Sequence, residues 1–464
     1  MNLLRKPHHK KNLFSQHVDM LHGPLVRSMI IFMVPMLLSA LLQSLFSAAD
    51  IAVVGNYSGK EAVAAVGASA VIISFIVNVS ISLSTGVNII LSRAIGMNDE
   101  ARIKRTVGTT AVLSLSLGVS VALLGALLTE PLLLLTGCPE NIRAAAALYL
   151  RVYLIGVPAT MFYNFMSPLI TLNGDSTRPF VYLAISGVTN VVLNLVFVAV
   201  FGMGVFGVAL ATVISLYLSA ILLLIRVTQI EGACRFLPRN FAFSLYTLRK
   251  ILQYGIPSSI SCAASVVASM YIQTIVNSYG DVGISGNTAA SSIEAFMFST
   301  FGVLGAAIPA FLGQSIGAGD RKRSIRVVRI GLLMTLTVGL LFSSVALLFG
   351  RPLLSIYLPD SPEALEFGLV RLKRIMALGV FCSVTYVTMA IMNSFGHTLY
   401  QMICDLTFTC VLRVLWLAFV YPKAPKIEML YVVYPLAWIL VCLVSGTVSV
   451  VVLFRYKRGG EVNL

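Results

Sequence analysis

Residues 28–54 read SMIIFMVPMLLSALLQSLFSAADIAVV, and no charged side chain interrupts them before Asp50. A helix needs about 20 mostly apolar residues to cross the hydrocarbon core of a bilayer, so this stretch is long enough to span one and carries a carboxylate near its end. Working outward, similar runs recur at 63–92, 107–128, 144–170, 180–201, 205–226, 251–279, 284–315, 326–349, 370–394, 400–420 and 429–454. Of 464 residues, 58% are hydrophobic and 11% charged, far from the roughly 25% charged composition of a soluble domain. The chain is therefore expected to be an all-α integral membrane protein with about twelve transmembrane helices. No soluble domain fits between the runs.

The net charge of +15 does not point to nucleic acid, because Lys and Arg lie between apolar runs and are not gathered in one domain. The tail (Arg5, Lys6, Lys10, Lys11), the second-to-third connection (Arg93, Arg102, Lys104, Arg105), the central link (Arg226, Arg235, Arg239, Arg249, Lys250), Arg321–Arg323 and the end (Arg455, Lys457, Arg458) fall on one side of a twelve-span chain. The positive-inside rule makes that side cytoplasmic, with both termini there. Arg371, Lys373 and Arg374 are the exception, at the outer mouth of the tenth span. Residues 1–26 lack the apolar core of a signal peptide, so the first helix is expected to remain as an anchor. Seven cysteines, none spaced CxxC, suggest neither a disulfide framework nor a zinc site.

The sequence also repeats itself. Ala94-Ile-Gly-Met-Asn-Asp99 and Ser315-Ile-Gly-Ala-Gly-Asp320 share spacing, with Gly96 and Gly317 221 positions apart. Glu130-Pro-Leu-Leu133 and Arg351-Pro-Leu-Leu354 keep that offset, and Pro35 and Pro257 differ by 222. Each unit holds six spans, so both halves begin on the same side and are related by a pseudo-two-fold along the membrane normal, a transporter design. The expected divisions are a tail at 1–26, an N-lobe at 27–226, a linker at 227–250, a C-lobe at 251–455 and a tail at 456–464. Pro35, Pro158, Pro168, Pro257 and Pro309 lie within or at the ends of spans, where proline removes a helix hydrogen bond.

Ionisable groups inside a span are costly and usually functional; here they are Asp50, Glu294, Asp405 and Arg413. Asp50 lies about 7–8 Å from the outer end of the first helix at 1.5 Å per residue. Asn190 and Asn194, at i and i+4, share a face of the fifth helix, and Thr212 matches Asn194 in depth across the turn at Met203. One carboxylate and three neutral oxygen-bearing side chains suit Na⁺, or a proton carried by Asp50 itself. They are metal ligands only if Na⁺ is the coupling ion. Alternatively, Asp50 is a satisfied polar group and the asparagines are interhelical hydrogen-bond glue. Glu294 either meets a cationic substrate or is paired for structure, and Asp405 fits an interfacial role. Arg413 occupies about the place of Asn190 in the repeat, where a fixed positive charge can replace a bound cation.

Catalysis finds no support. Gly202-Met-Gly-Val-Phe-Gly207 matches GxGxxG but follows no strand. The stretch from Gly55 to Lys60 lacks Walker spacing, so ATP is not the energy source. There is no HExxH and no triad. No enzyme activity and no cofactor are expected.

At these residues the chain resembles the multidrug and toxic compound extrusion (MATE) family. The resemblance rests on Pro35 to Gly55 with Asp50 in SAADIAVVG, Asn173-Gly-Asp-Ser-Thr-Arg-Pro179, Asn190-Val-Val-Leu-Asn194, Gly207-Val-Ala-Leu-Ala-Thr-Val213 and Gly313-Gln-Ser-Ile-Gly-Ala-Gly319, and covers about residues 23 to 455. It is similar to the DinF-like branch, since the acidic residues that the NorM-like branch carries in its seventh and tenth helices are absent. The resemblance implies a two-lobe exporter, working as a monomer in the plasma membrane, that exchanges inward H⁺ or Na⁺ for outward organic, mostly cationic compounds. It places the cation site at Asp50, Asn190, Asn194 and Thr212, with Asn194 where some members have a second Asp. A flippase for a lipid-linked precursor is the alternative, but it calls for a more cationic cavity.

Overall fold

The computed structural model describes residues 17–237 and 242–460; Arg5, Lys6, Lys10, Lys11 and Arg239, and the outer parts of both expected tails, lie outside the described residues. Leu25–Gly96 is helical except at Gly59, where φ is 83° and ψ 177°. That conformation belongs almost solely to glycine, and it divides the segment into α1 (25–58) and α2 (60–96). There follow α3 (Glu100–Leu127), α4 (Glu140–Ile155 and Val157–Thr171), α5 (Thr177–Val200), α6 (Gly204–Gln229), α7 (Leu245–Asn277), α8 (Gly280–Gly317), α9 (Arg321–Tyr357), α10 (Pro362–Met376 and Gly379–Ser394), α11 (Thr398–Lys423) and α12 (Ile427–Lys457). Taking each bent pair as one crossing gives twelve apolar spans among the described residues.

The two bends have different sequence signals. In α4 the 45° break falls at Gly156, with Pro158 opening the second half; proline is well placed in a first turn because its missing N–H has no partner to lose there. In α10 a 48° break at Ala377–Leu378 has no proline, so the spans drawn from hydropathy missed it. The helix α7 also starts earlier than the apolar run, because Ser244 caps it and accepts a hydrogen bond from the Thr247 amide at 3.3 Å.

The repeated Gly-x-x-Asp motif has a physical role. Asp99 caps α3 by accepting from the Arg102 amide at 2.9 Å, and Asp320 caps α9 by accepting from Arg323 at 2.8 Å. A capping carboxylate satisfies an amide that the first helical turn leaves unpaired. Just before each cap the backbone turns left-handed, at Asn98 (φ 54°) and at Gly319 (φ 71°), as a helix C-terminus that reverses direction requires. The duplication therefore conserves a helix stop, a turn and a helix start in one six-residue unit.

These ends also join the halves. A Cβ on Gly96 would stand 2.1 Å from the Gln314 carbonyl, and one on Gly317 would stand 2.2 Å from the Arg93 carbonyl. Both pairs are related by the 221-residue offset, so the α2–α8 contact is pseudo-symmetric. Nearby, Gln314 donates to the Leu172 carbonyl at 2.6 Å and Arg93 to the Ser394 carbonyl at 2.6 Å. Phe32 and Phe311 meet edge to face at 5.6 Å, in a buried apolar cluster drawn from both halves. Two other clusters stay within one half, while a third joins Ile251 to the N-terminal half. Arg323 donates to the Met20 and Gly23 carbonyls, and Arg321 to that of Gly459. The described chain ends and the Arg321–Arg323 stretch are thus gathered on this one side.

A substitution follows from the contact. Gly96→Val is expected to prise α2 from α8, because the opposing atom is backbone and cannot swing aside. With the native cysteines replaced, bulky maleimide should label Ser92→Cys, buried beside Gly313, at least about tenfold faster in the Gly96→Val protein. An unchanged rate would show that the contact absorbs the added volume.

Candidate functional site

Two polar constellations sit inside the membrane-spanning part. In the N-terminal half, Asn194 donates to Asp50 Oδ1 at 2.5 Å and lies 3.3 Å from Asn190 Oδ1, and Asn190 donates to Thr212 Oγ1 at 3.3 Å. Asp50 on α1, the two asparagines on α5 and Thr212 on α6 are therefore one hydrogen-bonded chain. The i, i+4 spacing puts both amides on one face, and α5 passes into a π turn at Leu195–Val200 immediately after Asn194. Such turns recur at functional sites, since i→i+5 bonding widens the helix locally. Asn190 and Asn194 are buried, and Asn194 Oδ1 has no hydrogen-bond partner. An orphaned buried oxygen beside a carboxylate leaves coordination capacity that a small hard cation or a carried proton can use.

Tyr149 was not singled out from the sequence. It is buried on the first half of α4 beside Thr212, with the Asp50 charge nearby. No motif marks it; its place in the site comes from the α4 bend and from the packing of α4 on α6.

In the C-terminal half, Arg371 pairs in two-pronged fashion with Glu294, at 3.1 Å through Nε and 2.6 Å through a terminal nitrogen. It also donates to Asn287 Oδ1, which accepts from Tyr431 Oη at 2.8 Å. The Tyr431 ring lies 5.3 Å below the guanidinium. Both charged residues are buried. This accounts for one basic residue of the stretch that broke the charge pattern: Arg371 neutralises Glu294, whereas Lys373 and Arg374 are exposed.

Between the halves lies a cavity of about 1120 Å³, walled by Asn78 and Asn164 on one side and Tyr386 and Trp438 on the other. Glu294 and Asp50 are not among its lining residues; Arg413 and Asp405 are. Asp405 thus faces the cavity instead of the membrane boundary, and accepts from Gln401 at 2.9 Å. At the joined end, outside the spans, burial and then the positive charge of Arg93 lower the pKa of His397 from its ordinary value. His397 is therefore neutral at pH 7 and adds no charge there. No group of three or more His, Cys, Asp or Glu able to hold a metal occurs among the described residues.

Comparison with known proteins fixes the family. The MatE family model matches twice, at residues 35–196 and 257–419, once in each half. The chain is 29% identical over 395 residues to a probable multidrug resistance protein, YpnP, of Bacillus subtilis, covering 85% of this chain and 88% of that protein. It is also 29% identical over 341 residues to the probable multidrug resistance protein YoeA of the same organism, covering 72% of this chain and 74% of the relative. A solved outward-facing structure of a multidrug resistance MATE family transporter superposes with a TM-score of 0.87 over 96% of this chain and 99% of that one, at 20% identity. Two matched halves, twelve apolar spans and a cavity between them make this protein a member of the MatE family of multidrug efflux transporters, and not an enzyme.

Proposed function

We propose that the protein is a secondary active exporter that couples inward H⁺ or Na⁺ to the efflux of organic, mainly cationic compounds through alternating access of its two lobes, at residues 27–226 and 251–455. The observation that carries this reading is the pairing of a cargo-sized cavity with a separate carboxylate site, in which Asp50 is hydrogen-bonded to Asn194 outside the cavity wall. A coupling ion must bind the two conformations differently to drive the change between them, and because Asp50, Asn190, Asn194 and Thr212 all lie in the N-lobe, that difference has to come from a rearrangement of α1, α5 and α6 within the lobe as it rocks. Asn190, Asn194 and Thr212 would complete the coordination if the ion is Na⁺, and Asp50 alone would serve for H⁺.

The joined side holds both described chain ends and Arg321–Arg323, which supports a cytoplasmic assignment for that side in the plasma membrane. With that face packed shut, the arrangement corresponds to an outward-facing state. One chain contains both lobes, the cavity and the carboxylate site, so a single copy suffices.

The test is efflux of a fluorescent organic cation from proteoliposomes. Transport that rises with an imposed pH or Na⁺ gradient is the expected result and names the ion; transport indifferent to both gradients would remove the antiport mechanism.

A further inference from the structure

Two buried arginines in the C-terminal half meet opposite fates. Arg371 is fully answered by Glu294. Arg413, on α11, is 4% exposed, has no salt-bridge partner among the described residues, and leaves Nε without a hydrogen-bond partner. The face of Tyr434, 4.2 Å from the guanidinium carbon, offsets part of its charge. Arg371 adds like-charge repulsion. A buried charge without a counter-ion is strongly unfavourable, and inside a membrane transporter it marks a ligand path.

Its side chain lines the central cavity together with Thr409 and Asp405. In a regular α-helix, eight residues advance about 80° beyond two full turns, which would carry Arg413 away from the face of Asp405. The π turn at Leu406–Val411, starting directly after Asp405, takes an extra residue into the turn and draws Arg413 back. The two charges therefore share one wall, about two turns apart along the axis. Among the described residues they are the charged side chains of the cavity, one of each sign. Asp405 is held by Gln401, which in turn accepts from Ser445 at 2.6 Å, so its position is built and not incidental.

We propose that this wall is a dipolar cargo site, in which Arg413 binds the anionic group of a zwitterionic organic substrate and Asp405 its cationic group. The inference rests on the exporter reading and narrows its substrate class: a carboxylate or similar anion at one end of the cargo supplies the counter-charge that Arg413 lacks. Charge-assisted hydrogen bonds to a guanidinium are among the stronger polar contacts available.

The test uses a matched pair of dyes, zwitterionic rhodamine B and its cationic ethyl ester, with binding to the purified full-length protein in nanodiscs followed by fluorescence anisotropy. Wild type is expected to bind rhodamine B about tenfold or more tightly than the ester. Arg413→Gln should remove that preference while leaving ester binding intact, and Arg413→Lys, which keeps the charge, should retain most of it. Asp405→Asn should weaken both dyes. Ester binding by the two Arg413 variants reports that they are folded, and for Asp405→Asn a wild-type thermal midpoint with a monodisperse elution profile does so. Equal wild-type affinity for the two dyes, or equal loss of both in Arg413→Gln with Arg413→Lys no better, overturns the dipolar site and leaves the exporter reading standing. Binding of neither dye by wild type counts against both.

Discussion

Asp50→Asn is expected to abolish gradient-driven efflux, lowering its initial rate by about a hundredfold or more in proteoliposomes. The amide keeps the size of the carboxylate and can still meet Asn194, so the N-terminal half should fold as before. What it loses is the ability to take up a proton or to present a negative charge to Na⁺. Without differential ion binding the gradient has no purchase on the equilibrium between the two lobe arrangements, since a ligand with equal affinity for both states shifts nothing. Cargo binding should survive, because Asp50 lies off the cavity wall. Tyr149→Phe offers a graded companion: it removes one hydroxyl next to Thr212 and is expected to slow transport without ending it. Wild-type rates in Asp50→Asn would reduce the aspartate to a structural group.

Breaking the Arg371–Glu294 pair is expected to produce the largest loss of stability. Arg371→Gln leaves the Glu294 carboxylate buried without a partner, a change that costs about 3–5 kcal/mol in comparable buried pairs. Glu294→Gln strands the guanidinium in the same way. The double replacement Glu294→Leu with Arg371→Met removes both charges and should recover most of the loss, because the pair contributes little once its desolvation is counted. Apparent thermal midpoints of the purified protein decide this: two low singles and a restored double are expected. The same double variant settles whether Glu294 meets cargo, one of the two roles that its intramembrane position leaves open from sequence. Retained efflux places the pair in the scaffold that holds α8 against α10; efflux lost despite a restored midpoint would put Glu294 on the transport path.

The sequence is informative where the bilayer or the backbone imposes a rule on neighbouring residues. Apolar runs give the spans, because a buried backbone must satisfy itself within each helix. The two six-residue motifs at Ala94–Asp99 and Ser315–Asp320 give the duplication, because a helix stop, a left-handed residue and a cap must be consecutive. The i, i+4 spacing of Asn190 and Asn194 gives the shared face that meets Asp50. Each of these is local, or is a comparison of one half with the other.

Contacts between distant segments carried no such signal. That Tyr149 lies beside Thr212, that Arg371 cancels Glu294 and that Arg413 remains without a counter-ion depend on how helices separated by tens of residues pack. In the C-terminal half the bend in α10 and the π turn after Asp405 lie next to Arg371 and Arg413, and neither has a proline to announce it. Sequence alone determined a twelve-span duplicated transporter with a lone carboxylate in its first helix. Only the tertiary structure decided which intramembrane charges are neutralised and which face the cavity, because side-chain direction in a helix follows from accumulated rotation along it, and one altered turn redirects every residue beyond.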